Sequence, residues 1–237
     1  KLKEIIGENG IKELSIFLFF IIFYKVSRFI AIGDASTAFE NAKKLIQFEK
    51  SLNIFTEPIV QSFFLSEINL IKFLNTFYMY VHIPATVAFF VWLFKKHNHK
   101  YYFVRNGFIA ANLIAVFFYI LYPCAPPRML PEYGFTDTLL LVSGVNLYSG
   151  LFSNLFNQYA AVPSMHFGNA FFIALFVILY AKNPYKWLII LYPLLVLLVI
   201  VITANHFYVD AILGGIIVIA PYPIMELKKM LANKYMI

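Results

Sequence analysis

"WLIILYPLLVLLVIVITANHFYVDAILGGIIVIAPYPIM" (Trp187–Met225) decides how this chain folds. Its two apolar runs carry no lysine, arginine or glutamate, and between them stand His206 and Asp210. Apolar runs of this length suit a bilayer, where a spanning helix needs roughly 20 apolar residues. A histidine and an aspartate four residues apart are costly at membrane depth, and such groups are usually functional.

The rest of the chain has the same character. Of its 237 residues, 61% are hydrophobic and only 13% charged, against about a quarter charged in a soluble domain. With a mean hydropathy of +0.75, the chain is expected to be an all-α integral membrane protein. About six spans meet the length criterion: Leu14–Ile32, Ile68–Phe94, Phe103–Tyr122, Met165–Ala181, Trp187–Ile202 and Val209–Met225. Pro84 is expected to kink the second. The first is read as a retained helix, not a cleaved signal peptide, because further spans follow it. No repeat or second domain is visible. Residues 1–237 read as a single transmembrane domain with a polar lead over 1–13 and an amphipathic surface segment over 36–66. That segment is expected to turn Ala38, Leu45, Ile46, Phe48 and Leu52 towards lipid or protein.

Charge sets the orientation. The loop "KKHNHKYYFVR" (Lys95–Arg105), Lys182 with Lys186, and the tail lysines Lys228, Lys229 and Lys234 belong on one side, the cytoplasm. An even number of spans places the N-terminus there as well. The net charge of +7 then reflects lysines facing anionic headgroups, and no nucleic-acid partner is expected. The single cysteine, Cys124, excludes an internal disulfide.

Three polar clusters fall on the opposite, extracytoplasmic face. Asp210 can accept a hydrogen bond from one ring nitrogen of His206, leaving the other as base, nucleophile or metal ligand; the alternative is a buried pair that serves packing alone. In "VPSMH" (Val162–His166), Pro163 and Ser164 suit a helix start, whose free N–H groups attract phosphate, and His166 lies in the first turn. Read alone, that is a plain helix cap. Arg128 is the only cation between Pro123 and Ser164. Its guanidinium suits phosphate oxygens or snorkels to headgroups. Together the clusters describe phosphoryl transfer, with no cofactor expected. No carboxylate or thiolate cluster nearby suggests a metal.

"AAVPSMHFGNA" and "TANHFYVDAILGG" resemble the second and third motifs of the type 2 phosphatidic acid phosphatase superfamily, Pro-Ser-Gly-His and Ser-Arg-x5-His-x3-Asp. "CAPPR", "PSMH" and the amphipathic "AFENAKKLIQFEKSLNIFTEP" look closer to the branch that contains inositol phosphorylceramide synthases. The resemblance runs from about Ala38 to Gly215. It implies a six-helix bundle, His206 as a nucleophile that forms a phosphohistidine, Asp210 orienting it and His166 as acid and base. It also implies that Arg128, Ser164 and, next to the nucleophile, Asn205 hold phosphate. The chain departs from the pattern in three places: Met165 replaces the motif glycine, Val199 and Ile200 replace Ser-Arg, and Lys-x6-Arg-Pro has no clear match.

Two enzymes fit this reading. One is a lipid phosphotransferase moving an inositol-phosphate-like headgroup from a phospholipid to a lipid alcohol. The other is a phosphatase acting on a lipid phosphate or polyprenyl diphosphate. A lipid transporter or a scaffold with a vestigial site is a third possibility, opposed by the H-x3-D pair and the near absence of polar residues in the fourth and fifth spans. Whether Gly214 and Gly215 pack helices within one chain or between chains stays open.

Overall fold

The computed structural model describes residues 10–13, 15–19, 22, 26, 34–147 and 157–226. These include helices α1 (Ala35–Ser51), α2 (Glu57–Phe64), α3 (Ile68–Tyr80), α4 (His82–Lys96), α5 (Asn98–Leu121), the short α6 (Thr138–Leu141), α7 (Met165–Tyr180), α8 (Leu191–Ile202) and α9 (Tyr208–Ile219). Among the described residues, extended backbone pairs only at an isolated parallel bridge between Cys124 and Ala160. The fold is all-α. The expected first span and the tail lysines lie partly or wholly outside the described residues.

Among the described residues, three helices are long and apolar enough to cross a membrane: Asn98–Leu121, Pro184–Ile202 and Tyr208–Glu226. A fourth crossing results if α3 and α4 count as one broken span, bent by 49°. Pro84 explains the break. It has no N–H for the carbonyl of Tyr80, and its ring crowds that carbonyl, so regular helix stops at Tyr80 and restarts at His82. Helix α7 has 16 residues, fewer than a full span requires.

Helix α7 is central and packs against α4, α8 and α9. Phe172, fully buried, meets Phe89, Phe90, Phe108 and Phe176 around it. The outward faces of α8 and α9, with Leu191, Leu194, Leu198, Ile212 and Ile216, are exposed and apolar, as lipid-facing helices require.

The crossing of α7 and α9 rests on two glycines. A Cβ on Gly214 would lie 2.1 Å from the carbonyl oxygen of Ser164, and one on Gly168 would lie 2.8 Å from that of Gly214. Only hydrogen at both positions lets the backbones touch. Gly214 therefore packs helices within the chain. Gly215 faces the Phe167 and Phe171 rings at ordinary contact distance.

Asp34 caps α1 by accepting from Thr37 N at 3.0 Å, and Pro58 starts α2. Ala38, Leu45 and Ile46 are buried against protein, and Phe48 and Leu52 are each 51% exposed. The buried stripe of α1 also holds Asn41 and Glu49, so this face docks on protein.

Candidate active site

The site is built around the turn between α8 and α9. Helix α8 ends in a Schellman motif: Asn205 N donates to Ile200 O at 2.8 Å and Ala204 N to Val201 O at 2.9 Å. Ala204 occupies the left-handed position, φ 51°, where glycine is usual and a side chain costs roughly 1–2 kcal/mol. His206 follows at once, and α9 begins only at Tyr208. His206 and Asp210 therefore do not share a helical face as their spacing suggests; the histidine lies in the turn and the aspartate in the first turn of α9.

Both are buried, at 4% and 0% exposure. His206 Nδ1 lies 2.9 Å from the carbonyl oxygen of Ala161 and 3.4 Å from Asp210 Oδ2. A carbonyl only accepts, so Nδ1 carries the proton and Nε2 keeps its lone pair. Asp210 also accepts from Phe207 N at 3.0 Å, and its own carbonyl accepts from Ser164 N at 2.8 Å. The last bond ties the "VPSMH" segment to α9.

Ser164 is the N-cap of α7 and accepts from Phe167 N at 3.4 Å. His166 lies in the first turn, its ring 5.8 Å from that of His206. Tyr78 stacks on His166 at 4.3 Å, and His82 approaches it at 5.0 Å. Asn169 Nδ2 lies 3.2 Å from His82 Nε2, while His82 Nδ1 and the Tyr192 hydroxyl are buried without partners among the described residues. Both residues line a chamber of about 10 Å³ that also touches His166, enough for about one water.

Arg128 arrives from the loop after α5. Its N–H donates to Ala204 O at 2.8 Å, and Cys124 and Ala125 in the same loop donate to Tyr159 O and Ala38 O at 2.7 and 3.0 Å. The guanidinium donates through Nη1 to Asn205 Oδ1, and its Nε is buried with no partner among the described residues. Asn205 Nδ2 donates to Thr203 Oγ1 at 2.6 Å. Asn205 thus meets the site through Arg128. Of the residues singled out from sequence, His206, Asp210, Ser164, His166, Arg128 and Asn205 all converge here.

Glu49, Glu57 and Gln61 escaped that reading. Tyr208 N donates to Glu57 Oε1 at 3.0 Å and Val209 N to Glu49 Oε1 at 2.9 Å. With Asp210 on Phe207 N, three carboxyl groups occupy three successive N–H groups at the start of α9. That helix end is closed to phosphate, and the unpartnered Arg128 Nε and the start of α7 remain for it. A signal was present: Glu49 follows Leu45 by four and Ile46 by three, which sets it on the buried stripe of α1. His82, a histidine inside an apolar span, was legible by the same logic that found His206.

The second oxygens of Glu49 and Glu57 are buried with no hydrogen-bond partner among the described residues. Buried neighbouring carboxyls disfavour the charged form. Burial first, and the neighbouring Glu57 second, push the Glu49 carboxyl from 4.5 up to about 9; burial raises Glu57 as well. The folded protein therefore holds the proton more tightly than the unfolded chain. The stability this contributes is complete below pH 4.5 and is lost as pH rises towards about 9. Thermal melting in detergent–lipid micelles is expected to fall across that window, and Glu49→Gln is expected to flatten the fall.

An apolar groove of about 490 Å³ opens beside the site, between α1, α5 and α9. Leu45, Phe48, Phe117, Leu121 and Leu213 line it, together with the buried Val162 and the exposed Lys44.

Comparison with known proteins fits this geometry. The chain is similar to the phosphoinositol dihydroceramide synthase of Bacteroides thetaiotaomicron, 25% identical over 159 residues, covering 60% of this chain and 51% of that protein. The chain thus spans about half the length of the curated relative it matches. No solved structure matches. The family model of the PAP2 superfamily matches residues 43–224, from the middle of α1 past the end of α9. With that match over most of its length, this multi-pass, all-α membrane chain belongs to the PAP2 superfamily, a family of lipid phosphotransferases and phosphatases.

Proposed function

We propose that the protein is a lipid phosphotransferase that moves a phospho-headgroup, inositol-phosphate-like, from a phospholipid to a lipid alcohol. The observation that carries the mechanism is the contact between His206 Nδ1 and the Ala161 carbonyl, which leaves Nε2 as a nucleophile. Nε2 attacks phosphorus, the P–O bond to the departing lipid breaks, and His166 gives that oxygen its proton. The acceptor hydroxyl then loses its proton to His166 and attacks the phosphohistidine. The P–N bond breaks and its electron pair returns to Nε2. Arg128, through its unpartnered Nε, and the first turn of α7 with Ser164 face the charge on the phosphoryl oxygens. Asp210 steadies the His206 ring, and Asn205 steadies Arg128.

The lipid would enter sideways, with one acyl chain along the groove that Val162 helps to line and its phosphate passing Lys44 on the way in. The site faces the extracytoplasmic surface in this reading, with both termini cytoplasmic. Transfer is favoured over hydrolysis by the name of the Bacteroides relative and by the absence of the Ser-Arg pair, replaced by Val199 and Ile200. A smaller cationic cage suits a phosphodiester better than a dianionic monoester. The water-sized chamber against His166 favours the second reading, a lipid phosphate or polyprenyl diphosphate phosphatase with water as acceptor.

Purified protein in vesicles with EDTA, offered phosphatidic acid, polyprenyl diphosphate, and phosphatidylinositol with ceramide or diacylglycerol, separates the two. A new inositol phospholipid is the expected product. Inorganic phosphate as the only product would establish the phosphatase, and activity that dies with EDTA would overturn the metal-free mechanism.

A further inference from the structure

The surface segment of α1 and α2 meets the histidine turn at both of its ends. Before the turn, Gln61 Nε2 donates to the last carbonyl of α8, Ile202 O, at 3.0 Å, and to Thr136 O at 2.9 Å; Thr136 N returns a bond to Gln61 Oε1 at 2.8 Å. After the turn, Glu57 and Glu49 hold Tyr208 N and Val209 N. All three side chains are fully buried. A helix start is ordinarily capped by a local serine, threonine or aspartate. Here the N-cap residue is Phe207, with no polar side chain, and the acceptors come from more than 140 positions away. Two buried carboxyls are an expensive way to cap a helix. Their place, on the two residues after His206 and its neighbour, gives that expense a purpose.

We propose that Glu49, Glu57 and Gln61 are positioning residues that fix the direction from which His206 meets its substrate. The proposal rests on His206 being the nucleophile. Within the turn between Ile202 and Tyr208, the other long-range side-chain hydrogen bonds among the described residues are those of Arg128 with Asn205 and of His206 with the Ala161 carbonyl. Without the clamp, the start of α9 keeps the bond from Ser164 N to the Asp210 carbonyl but loses the acceptors of Tyr208 N and Val209 N, which lets it and the ring of His206 tilt together. Displacements of about 1 Å at a reacting group cost roughly 100-fold in rate. The role is one of reach and acceptor placement, so it does not require a charge on either glutamate.

The test compares reach with charge in the full chain reconstituted in vesicles. The substrate is phosphatidylinositol with ceramide, or phosphatidic acid if that alone is turned over. Glu49→Asp and Glu57→Asp keep the carboxyl but withdraw it by one methylene. Each is expected to lower kcat roughly 10- to 100-fold with KM within about twofold. Glu49→Gln and Glu57→Gln keep an acceptor oxygen at full reach and are expected to keep most of kcat. Rates are expressed per folded molecule, so a variant that only folds less well leaves kcat unchanged.

Aspartate variants at wild-type kcat, or glutamine variants as poor as the aspartates, would overturn the proposal. Should the aspartate variants not fold, Gln61→Leu removes the contact with Ile202 without changing charge, and the same kcat criterion applies to it. His206→Ala is measured alongside. If it stays active, the nucleophile assignment fails; if it is dead while Glu49→Asp and Glu57→Asp are normal, only the positioning role fails.

Discussion

Replacing His206 with alanine is expected to lower turnover on the order of 10⁴-fold on every lipid the wild type accepts. The expectation follows from the proposed role of His206 as nucleophile, for which the site offers no substitute. His166, the nearest histidine ring, lies 5.8 Å away, begins a different helix and has its own face against Tyr78. A water taking the place of the missing imidazole would have no fixed Nε2 lone pair and no Ala161 carbonyl to hold it. The side chain is buried among protein, so a folding control is needed. The melting temperature of His206→Ala should stay close to that of wild type, because the Asp210 carboxylate keeps its bond from Phe207 N. Quenched turnover with labelled phospholipid should trap an acid-labile phosphoenzyme in the wild type and none in His206→Ala. Turnover that survives at a tenth of wild type or better would move the chemistry to another residue.

Gly214→Ala is expected to have the second-largest effect, although the glycine touches no substrate. Its added methyl would meet the Ser164 carbonyl oxygen at 2.1 Å, and backbone cannot rotate aside as a side chain can. The two helices must part, and overpacking of this kind costs typically about 1–3 kcal/mol. The loss of rate is expected to exceed the loss of stability. Parting α7 from α9 lengthens the bond from Ser164 N to Asp210 O and draws His166 from His206. Turnover should fall about 100-fold or more at temperatures where the protein remains folded. Gly215→Ala is the control, since its nearest neighbours are ring atoms at 3.5 and 3.8 Å. It should melt and turn over as the wild type does. Equal behaviour of the two variants would mean that the close crossing does not set the site's geometry.

Much of this was legible in sequence, for local reasons. The helix start at Ser164, the break near Pro84 and the apolar runs of α5, α8 and α9 depend on a few adjacent residues. So do the H-x3-D pair and the arginine after α5. What stayed hidden depends on partners distant in the chain. The spacing of His206 and Asp210 suggested one helical face, but Ala204 turns left-handed and delays α9 to Tyr208, so the His206 ring meets Ala161 as well as Asp210. Asn205 sits beside His206 in sequence, yet its amide is spent on Arg128 and Thr203. Glu49 and Glu57 look like the polar side of an amphipathic helix until α9 is docked on them. The span expected over Met165–Ala181 is a helix over Met165–Tyr180 of 16 residues, and its first turn, with His166, belongs to the site.

The clamp also sets when, during biosynthesis, the protein can become active. Glu49, Glu57 and Gln61 leave the ribosome well over a hundred residues ahead of the turn they hold. A nascent chain that has inserted α3 to α7 has every part of the His166 side of the pocket, yet its surface segment has no N–H groups to receive. The last hairpin, α8 with α9, supplies His206 and the clamp points in one event. Partly inserted chains therefore hold no half-assembled site in the membrane, and completion of the bundle brings the site together and locks its geometry in the same step.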